Sequence, residues 1–234
     1  MLPLNDDNPT EITPVVTISF IVACVLVFIY QSSLPPRLGE EFVFQYGAIP
    51  ALLFGQAVPP GEWGPTPPAA TLLTSMFLHG SWMHLFGNML YLWIFGNNIE
   101  DVMGHGKFIL FYVACGVLAA LTHAVTDTMS AMPMVGASGA ISGVLGAYLL
   151  LFPHARVLLL APVIGTAYVP AGLVLGMWFV MQVLSGGATL GHQGGGVAFF
   201  AHVGGFLAGM VLIGFFKRPD VRYFAPARHT RWRY

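Results

Sequence analysis

An all-α membrane protein of six transmembrane helices is the fold class this chain predicts, and three observations carry it. Of 234 residues, 56% are apolar and only 8% charged, against about 25% charged in soluble domains, so polar groups are too few to cover a globular surface. Apolar runs fall at residues 14–30, 82–99, 108–126, 135–152, 168–184 and 197–216, each near the ~20 residues a helix needs to cross the hydrocarbon layer. The basic residues are one-sided: with both termini cytoplasmic, Lys107, Arg156, Lys217, Arg218, Arg222, Arg228, Arg231 and Arg233 lie inside, and only Arg37 lies outside. A single membrane domain over residues 1–234 follows.

Residues 1–12 read as a short, polar, mobile segment. The first run, uninterrupted from Val15 to Tyr30, has no ionisable group, no basic residue before it and no small-residue cleavage site after it. It reads as a wall helix and not as a removable signal. Residues 31–71 hold eight of the seventeen prolines together with apolar patches at Phe42 to Tyr46 and Ala51 to Phe54. That mixture neither spans a bilayer nor floats free of it, so a long outside loop half embedded at the interface is expected.

The second run opens with His79, His84 and Asn88 at its outer end, and His84 and Asn88 are four apart and share a face. Polar groups at membrane depth are expensive and turn toward the bundle interior or a water-filled cavity. Interhelical hydrogen bonding is the plain reading of the pair. His202 could add a third histidine, but the H-E-x-x-H pattern is absent and no carboxylate accompanies them, so no metal is expected. Glu100 and Asp101 stand at the inner end. The third run carries Cys115 and His123 in no arrangement that yields chemistry; His123 reads as a lone interfacial histidine. Cys24 and Cys115 both fall within runs, which implies no disulfide framework.

The fourth run opens on Gly136-Ala137-Ser138-Gly139. A helix beginning near Ser138 would leave that residue's amide among the unpaired donors of the N-terminus, where the macrodipole favours developing negative charge. That is oxyanion-hole chemistry in outline. Gly139, Gly143 and Ala147 recur every four positions, a small-residue stripe that also serves plain helix packing. The chain turns at Pro153; a further apolar piece runs to about Val163, and Pro170 suits the first turn of the fifth helix. That helix has no ionisable residue and reads as packing. Residues 185–196 include six glycines, a loose outer link that is either a mobile cap or a plain connector. The sixth run carries His202 near its outer end, followed by Gly205 and Gly209. The basic tail, 217–234, reads as a topology anchor beside anionic headgroups and not as a nucleic-acid site.

The small-residue stripes let the fourth and sixth helices approach closely enough for Ser138 on one to reach His202 on the other. Serine is a poor nucleophile until a neighbouring base takes its proton, and histidine is the usual base. No Asp or Glu lies at this depth, so a Ser-His dyad is expected in place of a triad, with Oγ to ring nitrogen at about 2.6 to 3.2 Å. His84, Asn88 and the Ser138 amide become donors to the oxyanion. The G-x-S-x-G elbow of α/β hydrolases is not present, since Gly139 directly follows the serine.

The run from His79 to Asn88, the Gly136-x-Ser138-Gly139 element and Ala201-His202-x-x-Gly205 together resemble the rhomboid family of intramembrane serine proteases. The resemblance covers the chain from the first helix to the sixth and implies a rhomboid-like bundle. It implies Ser138 as nucleophile, His202 as general base and acid, and His84 and Asn88 as oxyanion stabilisers, with His79, Gly136 and Gly139 in supporting parts. It further implies cleavage of transmembrane protein substrates without metal or cofactor, in a cavity opening outward, with the second and fifth helices as the pair between which substrate enters. Two positions depart from the family pattern: Ala70 and Thr71 stand where many members have Trp-Arg, and Ser142 stands where some have an aromatic residue that stacks on the base. A catalytically silent scaffold that binds transmembrane helices is the alternative reading. A transporter would need paired broken helices in an internal repeat, and none is visible. The compact six-helix plan points to a multi-pass protein of a bacterial inner membrane, with the lipid bilayer and substrate helices as partners; nothing in the sequence specifies an oligomeric state.

Overall fold

Each of the six apolar runs folds around a helical stretch, and the way these stretches cross is set by small residues. The computed structural model describes residues 2–58, 66–161, 165–189 and 198–225. Helix α1 is Val15–Ser33; α2 is Pro36–Tyr46, α3 Pro50–Leu53 and α4 Pro68–Thr74, followed by a 3₁₀ turn, Ser75–Phe77. Helix α5, Trp82–Tyr91, continues through a π turn at Leu92–Gly96 into α6, Asn97–Met103. Helix α7 is His105–Ala124, α8 Ser138–Leu151, α9 Ala171–Thr189 and α10 Phe199–Phe216. Among the described residues four helices, Val15–Ser33, His105–Ala124, Ala171–Ala188 and Phe199–Phe216, are long and apolar enough to cross a membrane.

Helix α8 is the centre of the bundle: eleven of its fourteen residues are buried. It packs in parallel against α10 with almost nothing between the two backbones. A methyl group at Gly205 would run into the carbonyl oxygen of Gly139, and one at Gly209 into that of Gly143. Helix α7 closes the third side, where Cys115 meets Gly143 and Ala119 meets Gly139. With no water to expel between apolar helices in lipid, such close packing is what holds the bundle together.

At one end of the bundle two carboxylates hold the start of α1 and the chain leading into it. Pro14 gives that helix no side-chain cap, and Glu100, fully buried, accepts the amides of Val16 at 2.9 Å and Thr17 at 2.8 Å and the Thr17 hydroxyl at 2.7 Å. Asp101 accepts the amides of Glu11 and Ile12 at 3.1 and 3.0 Å. The first-turn donors that every helix leaves orphaned are thereby satisfied from another element.

The same end holds a feature the all-α expectation lacks, an antiparallel sheet in the order β1-β2-β3, with β1 Leu2–Asp6, β2 Arg156–Ala161 and β3 Gly165–Pro170. The segment expected to be mobile is therefore a strand from Leu2 to Asp6, and the apolar piece after Pro153 is the strand it pairs with. Leu2 faces Leu160 and Asp6 faces Val157, with the register shifting between Pro3 and Asn5; Pro3 has no amide to give the ladder. Asp6 is buried and accepts from the Tyr148 hydroxyl at 2.5 Å and from Asn98 Nδ2 at 3.0 Å. Burial pushes its carboxyl from 3.8 up to about 7.

The 31–71 segment also differs from a loop. It is built of α2, α3 and the start of α4, each with Pro at its first turn, where the missing amide costs nothing. Thr74 Oγ1 donates to the Tyr46 carbonyl at 2.7 Å, Ala48 and Met134 exchange amide bonds of 3.0 and 2.8 Å, and the Ala51 amide donates to Ser130 at 3.0 Å. These bonds anchor the segment to the bundle and to the chain entering α8 with Ala70 and Thr71 in place of Trp-Arg. The glycine-rich link lies partly within α9, which runs to Thr189; its remainder, 190–196, lies outside the described residues, as do Arg228, Arg231 and Arg233 of the tail.

Candidate active site

At the end of the bundle opposite the sheet, the first turns of α5, α8 and α10 converge. Ser138 is the first residue of α8 and His202 the fourth of α10. Because the two helices run parallel and in backbone contact, these side chains meet: His202 Nε2 lies 2.8 Å from Ser138 Oγ. Both are half-buried. The Ser138 amide is one of the first-turn donors that α8 cannot satisfy internally.

Two further polar side chains, His84 and Asn88, stand beside Gly136, two residues before this serine. Ser81 caps α5, accepting the His84 amide at 3.1 Å, which fixes the first turn and the direction in which His84 leaves it. The Gly80 amide donates to His84 Nδ1 at 3.4 Å; with Nδ1 accepting, the proton of a neutral ring sits on Nε2, free to donate. That edge of the ring lies against Gly136, where a Cβ would stand 2.8 Å from His84 Nε2 and 3.6 Å from Asn88 Nδ2. Gly136 has φ +125°, so the residue is glycine for its backbone and for the imidazole's space at once. Asn88 is buried, and its Nδ2 has no partner among the described residues. His79 is fully buried; its ring lies edge-on to that of His84 with centroids 5.2 Å apart, and its carbonyl accepts from Gln31 Nε2 at 2.8 Å. A cavity of about 40 Å³ opens beside Ser138, walled by Met76, Gly116, Ala119, Gly136 and Ala201.

The rhomboid-domain family profile matches residues 68–219, more than half of the chain, with His79, His84, Asn88, Gly136, Ser138 and His202 among them. The chain belongs to the rhomboid family. It is 33% identical over 146 residues to Rhomboid protein 1, mitochondrial, of Saccharomyces cerevisiae, covering 60% of this chain and 40% of that protein. It is 32% identical over 200 residues to Rhomboid protease GluP of Bacillus subtilis, covering 85% and 35%. Presenilin-associated rhomboid-like protein A, mitochondrial, of Danio rerio is 33% identical over 150 residues, covering 62% and 37%. This rhomboid thus spans between 35% and 40% of the length of these relatives.

In this rhomboid the Ser142 hydroxyl turns back and donates to the Ser138 carbonyl at 2.6 Å. The ring of His202 is held from α9 instead. Trp178 lies beside it with ring centroids 5.8 Å apart and planes at 36°. One helical turn on, Gln182 Oε1 is 2.7 Å from His202 Nδ1. Sequence reasoning assigned α9 to packing because it carries no charge and matches no motif. The signal that could have found these residues is an amide side chain at membrane depth four positions after a tryptophan, a spacing that puts both on one face. Cys115 packs against Gly143 and His123 lies within electrostatic reach of His202; among the described residues no group of three or more His, Cys, Asp or Glu side chains could hold a metal ion.

Proposed function

We propose that this rhomboid is an intramembrane serine endopeptidase that cuts protein substrates in or near their transmembrane helices. The 2.8 Å contact between Ser138 Oγ and His202 Nε2, at a helix N-terminus and beside a small cavity, is the observation that carries the reading. Ser138 Oγ attacks the substrate carbonyl carbon while its proton passes to His202 Nε2. The carbonyl oxygen becomes an oxyanion, met by the Ser138 amide, His84 Nε2–H and Asn88 Nδ2. The imidazolium then protonates the departing amine nitrogen, the C–N bond breaks and an acyl ester remains on Ser138. A water molecule, giving its proton to His202, attacks that ester; collapse of the second oxyanion returns the proton to Ser138 Oγ and releases the carboxylate.

The placement of charge supports the accompanying topology. Lys107 at the start of α7, Arg156 after α8 and Lys217 after α10 all stand at the end away from Ser138, so both termini face the cytoplasm and the site opens outward. In this reading the six helical runs all span, α5 and α6 doing so as one continuous stretch through the π turn, and the membrane is a bacterial inner membrane, as befits likeness to a Bacillus subtilis protease. The test is reconstitution in liposomes with a model single-span substrate: the wild type cuts it, and Ser138→Ala leaves it intact. Cutting that persists in the variant overturns the proposal.

A further inference from the structure

The catalytic pair needs His202 in one tautomer, and the pair itself cannot select it. A neutral imidazole carries one N–H, and Nε2 can take the Ser138 proton only if that N–H is on Nδ1. With the proton on Nε2 the ring would donate to Ser138 Oγ and could accept nothing from it. An oxygen acceptor at Nδ1 decides between the two, and Gln182 Oε1 stands there at 2.7 Å. A carboxamide oxygen has lone pairs and no proton, so in the orientation that sets Oε1 against Nδ1 the side chain pairs with the productive form alone. We propose that Gln182 is a positioning residue of the active site, the neutral counterpart of a triad's third member, fixing His202 as its Nδ1–H tautomer and steadying the imidazolium that forms during turnover.

Two observations make this more than an isolated contact. Trp178, one turn earlier on α9, lies against the same ring, so a single helix face limits both its tilt and its rotation. Ser142, placed one turn after the nucleophile, spends its hydroxyl on the Ser138 carbonyl and leaves the ring to α9. During turnover the proton moves from Ser138 Oγ to Nε2 and on to the leaving nitrogen, while Nδ1–H stays in place. Its bond to Gln182 strengthens as the ring becomes charged.

The assignment rests on the reading of Ser138 and His202 as a catalytic pair, so the experiment separates the two. In the purified full chain, Gln182→Met keeps the length and removes the acceptor; kcat on a model transmembrane substrate falls about three- to tenfold, the loss of one net hydrogen bond, with KM unchanged. Gln182→Glu keeps an accepting oxygen and recovers most of that loss. A Met variant that turns over like the wild type, equal losses in the two variants, or an effect confined to KM overturns the assignment. A measurement without any variant serves as well: histidine-selective ¹⁵N labelling of the wild type shows His202 protonated on Nδ1, and the reverse tautomer overturns the role of Gln182 while leaving the pair itself standing. A wild type that neither cuts substrate nor takes up a fluorophosphonate overturns the catalytic reading and this assignment with it.

Discussion

Asn88 is a buried donor with nothing to give its proton to among the described residues. An unpartnered buried amide costs a folded protein about 1–3 kcal/mol, so its replacement separates stability from catalysis. Asn88→Ala lowers kcat by about 10² to 10³, the usual loss of one oxyanion donor, while the melting temperature of the detergent-solubilised protein stays level or rises. A variant that melts well below the wild type would show that Asn88 holds the fold instead. The cavity beside Ser138 makes a second prediction at this scale. Its walls are mostly Ala and Gly, closed by Met, Val135 and serines, and at about 40 Å³ it has room for a methyl group or two. Substrates with Ala before the cut bond therefore exceed those with Leu or Phe by at least about tenfold in kcat/KM, since each misfitted methylene is worth roughly 1–3 kcal/mol. Equal rates across such a substrate series would place the residue before the cut bond elsewhere.

Elements here are joined by polar groups that one helix lends to another. Helix α1 has no cap of its own, and Glu100 supplies one from α6 with three hydrogen bonds. Glu100→Ala strands two amides and a hydroxyl; at about 1–3 kcal/mol for each buried orphan, the variant loses at least about 3 kcal/mol and melts markedly lower in detergent. An unchanged melting temperature would show that α1 is held by lipid-facing packing alone. The strand β1 adds a pH dependence. Burial raises the Asp6 carboxyl from 3.8 to about 7 in the folded chain, so the folded state binds the extra proton between those values. Its favourable contribution is complete below about pH 4 and is lost as pH rises through about 7. Melting temperatures read from pH 4.5 to 7.5 therefore fall with rising pH in the wild type, and Asp6→Asn flattens that slope; parallel slopes in the two proteins would remove Asp6 as its cause.

The bundle as a whole puts a polar site at one end and a sheet with most of the described basic residues at the other. Much of this was legible in the sequence. Polar side chains at membrane depth are rare enough that His84, Asn88, Ser138 and His202 stood out singly, and the glycine stripes on either side of α8 and α10 said which helices could bring them together. The sheet was not legible, because the five apolar residues from Val157 to Ala161 carry no period that tells a strand from the end of a helix. Residues 2–6 gain their order from that partner and from the bonds Asp6 accepts from Tyr148 and Asn98. The helices within 31–71 were hidden by prolines that mark first turns as readily as they mark loops. Gln182 was missed because an uncharged amide on an apolar helix carries no motif, and its meaning depends on a ring brought in from twenty residues away. What unites these parts is the claim that the α8 and α10 crossing makes an ordinary serine reactive. Peptide mass spectrometry after fluorophosphonate treatment of the solubilised protein tests it most directly: the account predicts a covalent adduct on Ser138 alone, absent when His202 is replaced by Ala. An unmodified Ser138, or an adduct that forms equally well without His202, would contradict it.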